Sequence, residues 1–311
     1  METRRIGSLA VSVVGLGCNN FGKRLDAGRS ESVVYAALDA GITFFDTADI
    51  YGETKSEEFL GRALGPRRRD AVIATKFGME VDPQRHGAKP DYVRRAAEDS
   101  LRRLGTDHID LYQIHQPDPA TPIGDTLEAL DDLVKAGKVR EIGCSNFSAA
   151  QIREAEGAVR DGAARFISVQ NEYSLLRREP EADVIPECLR SGLAFIPYFP
   201  LASGLLTGKY RLGRPAPKGS RLESRFGTEP FTKENLELVE ALSTFAESRR
   251  HTIVELAVSW LASRPSVASV IAGATSPEQV RANAGAVGWK LTEPEADEIE
   301  AILSRSVPAS D

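Results

Sequence analysis

The chain has 311 residues, 41% hydrophobic and 27% charged, with a formal net charge of −6 at pH 7. This is ordinary globular composition, and the acidic balance argues against nucleic acid or a membrane surface as the main partner. No apolar run is long enough to span a bilayer, Arg4-Arg5 is followed by no export-signal core, and neither the three scattered cysteines nor the four histidines have metal-ligand spacing; the expectation is a cytoplasmic protein with no metal.

In chain order, Arg4–Ile6 and Leu9–Val11 around Gly7-Ser8 read as a hairpin. A buried strand over Val13–Leu16 ends at Gly17-Cys18-Asn19, and an amphipathic helix over Ser30–Ala40 closes at Gly41. Ile42–Phe45 is a short apolar strand ending at Asp46, and Glu53–Leu64 is its helix. The alternation continues through strands at Asp70–Thr75, Ile109–Ile114, Val139–Gly143, Phe166–Val169 and Leu193–Pro197. Helices are expected over Tyr92–Leu104, Ile123–Ala136, Ala149–Val159 and Ala182–Arg190. Past Tyr198 the period breaks: Pro200–Thr232 is rich in Gly, Pro, Ser and basic residues, and a loop this long suits a lid. Helices at Lys233–Arg249 and Ile253–Ser263, an eighth strand at Val267–Ala272, and helices at Pro277–Ala286 and Glu293–Leu303 complete the chain.

Strands separated by helices demand parallel pairing with crossovers. A doubly wound dinucleotide fold needs a Gly-x-Gly-x-x-Gly turn running into a helix; Gly15-Leu16-Gly17-Cys18-Asn19-Asn20 lacks the last glycine. The expectation is therefore an (α/β)8 barrel with an N-terminal hairpin, a long loop after the seventh strand and extra C-terminal helices, occupying residues 1–311 as one domain. The site of such a barrel lies at the carboxyl ends of its strands. Those ends carry Asp46, Tyr51, Lys76, His115, Ser145, Asn146, Gln170 and Tyr198. A lysine beside a tyrosine favours the phenolate, a carboxylate fixes the lysine, and a histidine can polarise a carbonyl oxygen. Together they make a proton donor poised over an electrophile.

The ordered motifs Phe45-Asp46-Thr47-Ala48-Asp49-Ile50-Tyr51-Gly52, Ala74-Thr75-Lys76-Phe77-Gly78, Asp110-Leu111-Tyr112-Gln113-Ile114-His115, Gly143-Cys144-Ser145-Asn146-Phe147, Gln170-Asn171-Glu172-Tyr173 and Gly204-Leu205-Leu206-Thr207-Gly208-Lys209 cover essentially the whole chain. The sequence thereby resembles the aldo-keto reductase superfamily, on the branch related to potassium-channel β subunits. The resemblance implies a TIM-type barrel that binds NADPH and reduces small aldehydes or ketones. It also implies a catalytic tetrad of Asp46, Tyr51, Lys76 and His115, with Tyr51 as general acid. Ser145, Asn146 and Gln170 would hold the nicotinamide carboxamide, with Tyr198 stacked on the ring, and Gly17 and Cys18 would also bind the cofactor. Phe199, Leu201, Ser203, Gly204 and Lys209 would line the pyrophosphate. Ser220, Arg221, Gly273, Thr275, Gln279 and Asn283 would take the adenosine end. Many relatives have a basic residue at Gly273, an arginine at Gln279 and a glutamate at Ala282, so preference for the 2′-phosphate is the least secured of these expectations. Substrate contacts are expected from Phe21, Phe77, Gln116 and the segment around Arg225-Phe226. Tyr51-Gly52-Glu53-Thr54-Lys55 also fits the Tyr-x-x-x-Lys pattern of short-chain dehydrogenases, but that reading needs a glycine-rich turn upstream. Channel β subunits would share the tetrad, so a cofactor-sensing binding module is the alternative from another class.

Overall fold

A computed structural model describes residues 1–215, 217 and 231–304. The chain opens with an antiparallel hairpin of β1 (Thr3–Ile6) and β2 (Leu9–Ser12), in register from Thr3 opposite Ser12 to Ile6 opposite Leu9. Then come β3 (Val14–Gly17), α1 (Ala27–Asp39), β4 (Phe44–Asp46), α2 (Lys55–Leu64), β5 (Val72–Phe77) and α3 (Pro90–Leu104). They are followed by β6 (Ile109–Ile114), α4 (Ile123–Lys135), β7 (Val139–Ser145), α5 (Ala149–Gly157), β8 (Phe166–Glu172), α6 (Val184–Ser191) and β9 (Ala194–Tyr198). The chain continues through α7 (Lys233–Ser248), α8 (Ile253–Ala262), β10 (Val270–Gly273), α9 (Pro277–Gly285) and α10 (Glu293–Ser304).

The eight long-range strands lie in the order β10-β3-β4-β5-β6-β7-β8-β9, every pair parallel. The ring closes where Phe195 of β9 donates to Ser266 O at 2.7 Å and accepts from Ala268 N at 3.0 Å, just ahead of β10. This is the expected barrel. Alternation along each strand divides its apolar residues between two cores. One set (Phe44, Ala74, Leu111, Ile196 and Ile271) fills the bore, where Ile6, Leu9 and Val11 of the hairpin join it. The other set, with Phe45, Ile73, Tyr112 and Val169, packs under the helices. Helix α3 shows the matching pattern, burying Tyr92, Val93, Ala96, Ala97, Ser100, Leu101 and Leu104 on one stripe. The hairpin sits at the amino ends of the strands, where Ser8 N donates to Glu141 Oε1 at 2.7 Å, and leaves the carboxyl rim open.

Several boundaries differ from expectation for local reasons. Helix α1 starts at Ala27 because the Asp26 side chain caps Arg29 N. Helix α2 starts at Lys55, since Glu53 and Thr54 adopt left-handed φ of 56° and 74°. Strands β5, β7 and β8 run on through Lys76, Ser145 and Gln170, so these polar residues stay in the ladder. The segment expected to be without regular structure after Tyr198 contains a 3-10 turn over Ala202–Thr207. The rest of the expected lid, at 216 and 218–230, lies outside the described residues.

Candidate active site

Asp46 is in phase with Phe44, a bore residue, and Lys76 is in phase with Ala74 on the neighbouring strand, so both point inward. Lys76 is wholly buried, and its Nζ donates to Asp46 Oδ2 at 2.6 Å and to Thr47 O at 3.0 Å. Gln170 Nε2, from across the barrel, donates to Asp46 Oδ1 at 2.8 Å. Both carboxylate oxygens are thus engaged, and the charge pair is held by hydrogen bonds on each side. That is what a buried ion pair needs to offset its desolvation.

The turn after β4 brings Tyr51 over this pair, with Lys76 Nζ 5.3 Å from its ring centroid. Only glycine fits next: Gly52 has φ of 59°, and a Cβ there would lie 2.2 Å from Phe21 O. The Tyr51 hydroxyl is set deep, and withdrawal from water raises its pKa above the ordinary phenol value. The Lys76 charge and hydrogen bond pull it down but do not cancel burial, and Asp46 adds to the rise. The expectation of a phenol more acidic than usual is therefore corrected: desolvation outweighs the ammonium, and Tyr51 keeps its proton at neutral pH. Lys76 is itself held charged, because Asp46 and Tyr51 outweigh the cost of its burial.

His115 follows β6, its backbone N donating to Phe77 O at 2.8 Å and its carbonyl accepting from Asn146 Nδ2 at 2.9 Å. Its ring stands edge-on to Tyr51 at 5.7 Å and 79°. Burial, and then the Lys76 charge, lower its pKa to about 3, so the imidazole is neutral. A lowered histidine pKa means that its contribution to stability is complete above the unfolded value near 6.5 and is lost as pH falls toward 3. The expected result is that the His115 ring nitrogens keep the 15N shifts of a neutral imidazole between about pH 5 and pH 8 in an NMR titration. Imidazolium shifts in that range would contradict the neutral assignment.

Asp46, Tyr51 and His115 line a cavity of about 270 Å³ with Gly17, Ser145, Asn146, Gln170, Tyr198, Phe199 and Gly273. A larger cavity of about 490 Å³ adjoins it, lined by Phe199, Leu201, Ser203, Gly204, Lys209, Gly273, Thr275, Gln279 and Asn283. The two share Asn19, Phe199, Ile271 and Gly273, so they form one groove over the end of β10. Of the described residues expected in the tetrad or at the cofactor, Lys76 and Cys18 line neither lobe: Lys76 lies behind Tyr51, and the buried Cys18 thiol faces Leu16 O at 3.8 Å. Ser220 and Arg221 lie outside the described residues, as does Arg225-Phe226. Phe21 and Phe77 were expected at the substrate and are instead core residues with no exposed surface, Phe77 against Tyr112. Gln116 is exposed and lines neither lobe. Sequence reasoning missed Asn19, Asn20, Arg24, Thr207 and Met79. The asparagines follow the first strand end directly, which was the available signal.

The groove fits an extended dinucleotide in its chemistry. Its inner lobe is rimmed by hydroxyl and amide groups that already bond one another: Ser145 Oγ donates to Gln170 O at 2.8 Å and Tyr198 Oη to Asn146 Oδ1 at 2.8 Å. Close backbone approach is kept by glycine; a Cβ on Gly17 would reach Ile271 Cγ2 at 3.1 Å and narrow the passage. Asn146, Phe199, Ala202 and Ser203 hold left-handed φ of 62°, 53°, 45° and 57°, strain concentrated along the groove. Lys209 supplies a cation to the outer lobe.

The family model described as "Aldo/keto reductase family" matches residues 13–304. The chain belongs to the aldo/keto reductase family. An aldo-keto reductase of fission yeast, "yakc [NADP(+)]" from Schizosaccharomyces pombe, is 35% identical over 313 residues, covering 96% of this chain and 90% of the relative. A probable voltage-gated potassium channel subunit beta of Arabidopsis thaliana is 34% identical over 317 residues, covering 97% of each. Among solved structures, the glycerol dehydrogenase AKR11B4 of Gluconobacter oxydans superposes with a TM-score of 0.86 at 32% identity, covering 99% of this chain and 97% of that one. Membership in this family supports NADP-dependent oxidoreduction of small carbonyl compounds. Among the described residues, no helix is long and apolar enough to cross a membrane.

Proposed function

We propose that this aldo/keto reductase reduces an aldehyde or ketone to the alcohol with NADPH, Tyr51 acting as general acid. The observation that carries the reading is the buried Asp46–Lys76 pair beneath Tyr51, at the floor of a cavity continuous with the outer lobe. NADPH, when bound, supplies the hydride. The chain's own groups manage the oxygen and its proton. A protonated phenol and a neutral imidazole meet at the cavity floor, so a carbonyl oxygen there accepts hydrogen bonds while negative charge develops on it. Tyr51 then releases its proton to that oxygen. Lys76 stabilises the phenolate left behind, and Asp46 with Gln170 keeps the ammonium in place. Ser145, Asn146, Gln170 and Tyr198 would hold the nicotinamide end, while Phe199, Leu201, Ser203, Gly204 and Lys209 would hold the pyrophosphate. Gly273, Thr275, Gln279 and Asn283, with Ser220 and Arg221, would take the adenosine end.

A carbonyl panel with NADPH oxidation as readout tests the reading, alongside glycerol with NADP+ and NADPH formation as readout, because one solved neighbour is a glycerol dehydrogenase. Substrate-dependent oxidation is the expected result. The likeness to channel β subunits favours a second reading, an NADP(H)-binding module with little turnover. Tight NADPH binding without turnover of any carbonyl would select it.

NADPH is expected to bind at least tenfold tighter than NADH. Arg24 and Lys209 stand in the outer lobe, and Arg221 is expected beside it. One charge-assisted bond to a phosphate contributes ~1.5–3 kcal/mol, enough for that ratio. Arg221→Ala should weaken NADPH and leave NADH nearly unchanged. Equal dissociation constants of the wild type for the two cofactors, by fluorescence titration, would reject the preference.

A further inference from the structure

Behind Tyr51 lies a buried charge cluster that carbonyl reduction does not use. Asp49 is 2% exposed and sits two residues before Tyr51, its backbone N donating to Lys76 O at 3.1 Å. Its Oδ2 accepts a long 3.4 Å bond from Tyr92 Oη, and its Oδ1 is buried with no partner. Glu57 on α2 is fully buried and accepts from Thr75 Oγ1 at 2.6 Å and from Arg103 Nε at 2.6 Å. Thr75 is the neighbour of Lys76. The cluster is therefore fastened to the backbone of both Lys76 and the Tyr51 turn.

The groups facing Asp49 are Glu57 from α2, Tyr92 and Arg103 from α3, and Tyr112 from β6; Arg85 and Arg95 act on Tyr92. One guanidinium, already bonded to Glu57, faces two carboxylates. An isolated second carboxylate in such a place takes up a proton instead of staying charged. Burial first, and then the Glu57 charge, raise the Asp49 pKa to about 7. The turn that follows is under strain at Glu53 and Thr54, with φ of 56° and 74°, and it holds only while its surroundings fix it.

We propose that Asp49 is a positioning residue, protonated in the folded site beside the Glu57 carboxylate, and that it thereby fixes Tyr51 over the reaction cavity. The proposal rests on the reading of Tyr51 as proton donor. When the proton leaves, Asp49 carries a buried charge with an unpartnered oxygen. It must turn toward water or toward Arg103, and the short link through Ile50 carries Tyr51 with it. The sign for stability follows from an acid whose pKa is raised on folding. The folded state binds the extra proton from about pH 4 up to about pH 7, so stability falls with rising pH across that window and is level above it.

The test is a pH profile of kcat from about pH 5.5 to pH 9 for the wild type, Asp49→Asn and Glu57→Gln. An NMR titration of the Asp49 carboxyl and the Tyr51 ring accompanies it. In the wild type, kcat is expected to fall several-fold through neutrality, with KM for NADPH unchanged and the Tyr51 ring resonances moving at the same midpoint. Asp49→Asn, which mimics the protonated acid, should hold the low-pH rate across the range. Glu57→Gln removes the like charge and should shift the midpoint down by about one unit. A wild-type profile flat across neutrality, or a midpoint unmoved in both variants, overturns the proposal. If Asp49→Asn does not fold, the Glu57→Gln shift decides. If the wild type turns over no carbonyl, the reductase reading fails separately. Matched midpoints of Asp49 and the Tyr51 ring near pH 7 would still support the positioning role, and an Asp49 midpoint near 4 would reject it.

Discussion

Tyr51→Phe is expected to lower kcat by ~10²–10⁴-fold, the usual share of a general acid, while NADPH affinity and melting temperature stay close to wild type. The substitution keeps the ring, which stands edge-on to His115, and removes only the hydroxyl. The loss to folding is at most one hydrogen bond with Lys76, about 1 kcal/mol. The loss to catalysis is larger because no second acid can take over. The His115 imidazole is neutral and binds its proton too firmly to release it as a routine acid at pH 7. Lys76 has its ammonium committed to Asp46 Oδ2 and Thr47 O. Single-turnover measurement of NADPH oxidation checks this directly. A variant within threefold of the wild-type rate would mean that another group, or water, protonates the oxygen.

The barrel was legible because its strands are short apolar runs broken by polar residues where they reach the rim. Asp46, Lys76, His115, Ser145 and Gln170 all stand where a strand end was expected, and the structure brings them around one cavity or directly behind it. What was not legible depends on direction and on long-range register. Phe21 and Phe77 lie beside the rim in sequence, but their rings turn into the helix-side core, and no local pattern says which way an aromatic at a strand end will face. The bond from Gln170 to Asp46 joins residues 124 apart and needs the barrel to be closed before it exists. The Tyr51 acidity was misjudged for a related reason. Adjacency to Lys76 can be read from motifs, but the depth of burial that opposes it cannot. Glu57 lies in the first turn of α2, where an acid is usually at the surface, and only the approach of Arg103 from α3 shows that it is inside.

Lys76→Met is expected to damage both activity and stability, which separates it from Tyr51→Phe. Lys76 is unexposed, and Asp46 is 4% exposed. With the ammonium gone, Asp46 keeps only Gln170 Nε2 as a side-chain donor and becomes a buried charge without a counter-charge. Breaking one partner of such a pair typically costs ~3–5 kcal/mol, a large part of a domain's total stability. The phenol also loses the two influences that pull its pKa down, the Lys76 charge and its hydrogen bond, so Tyr51 becomes a still weaker acid. The phenolate formed on proton release would have no cation beside it, and kcat should fall at least as far as in Tyr51→Phe. Thermal melts of the two proteins at pH 8 check the stability loss. The double variant Asp46→Asn, Lys76→Met removes the orphan charge and should recover most of the stability with none of the turnover, because a neutral pair restores packing but not the cation. If Lys76→Met melts with the wild type at pH 8, the Asp46–Lys76 contact does not hold the site together. If it also turns over carbonyls at the wild-type rate, the proton donor works without the ammonium, and the assignment of Lys76 fails.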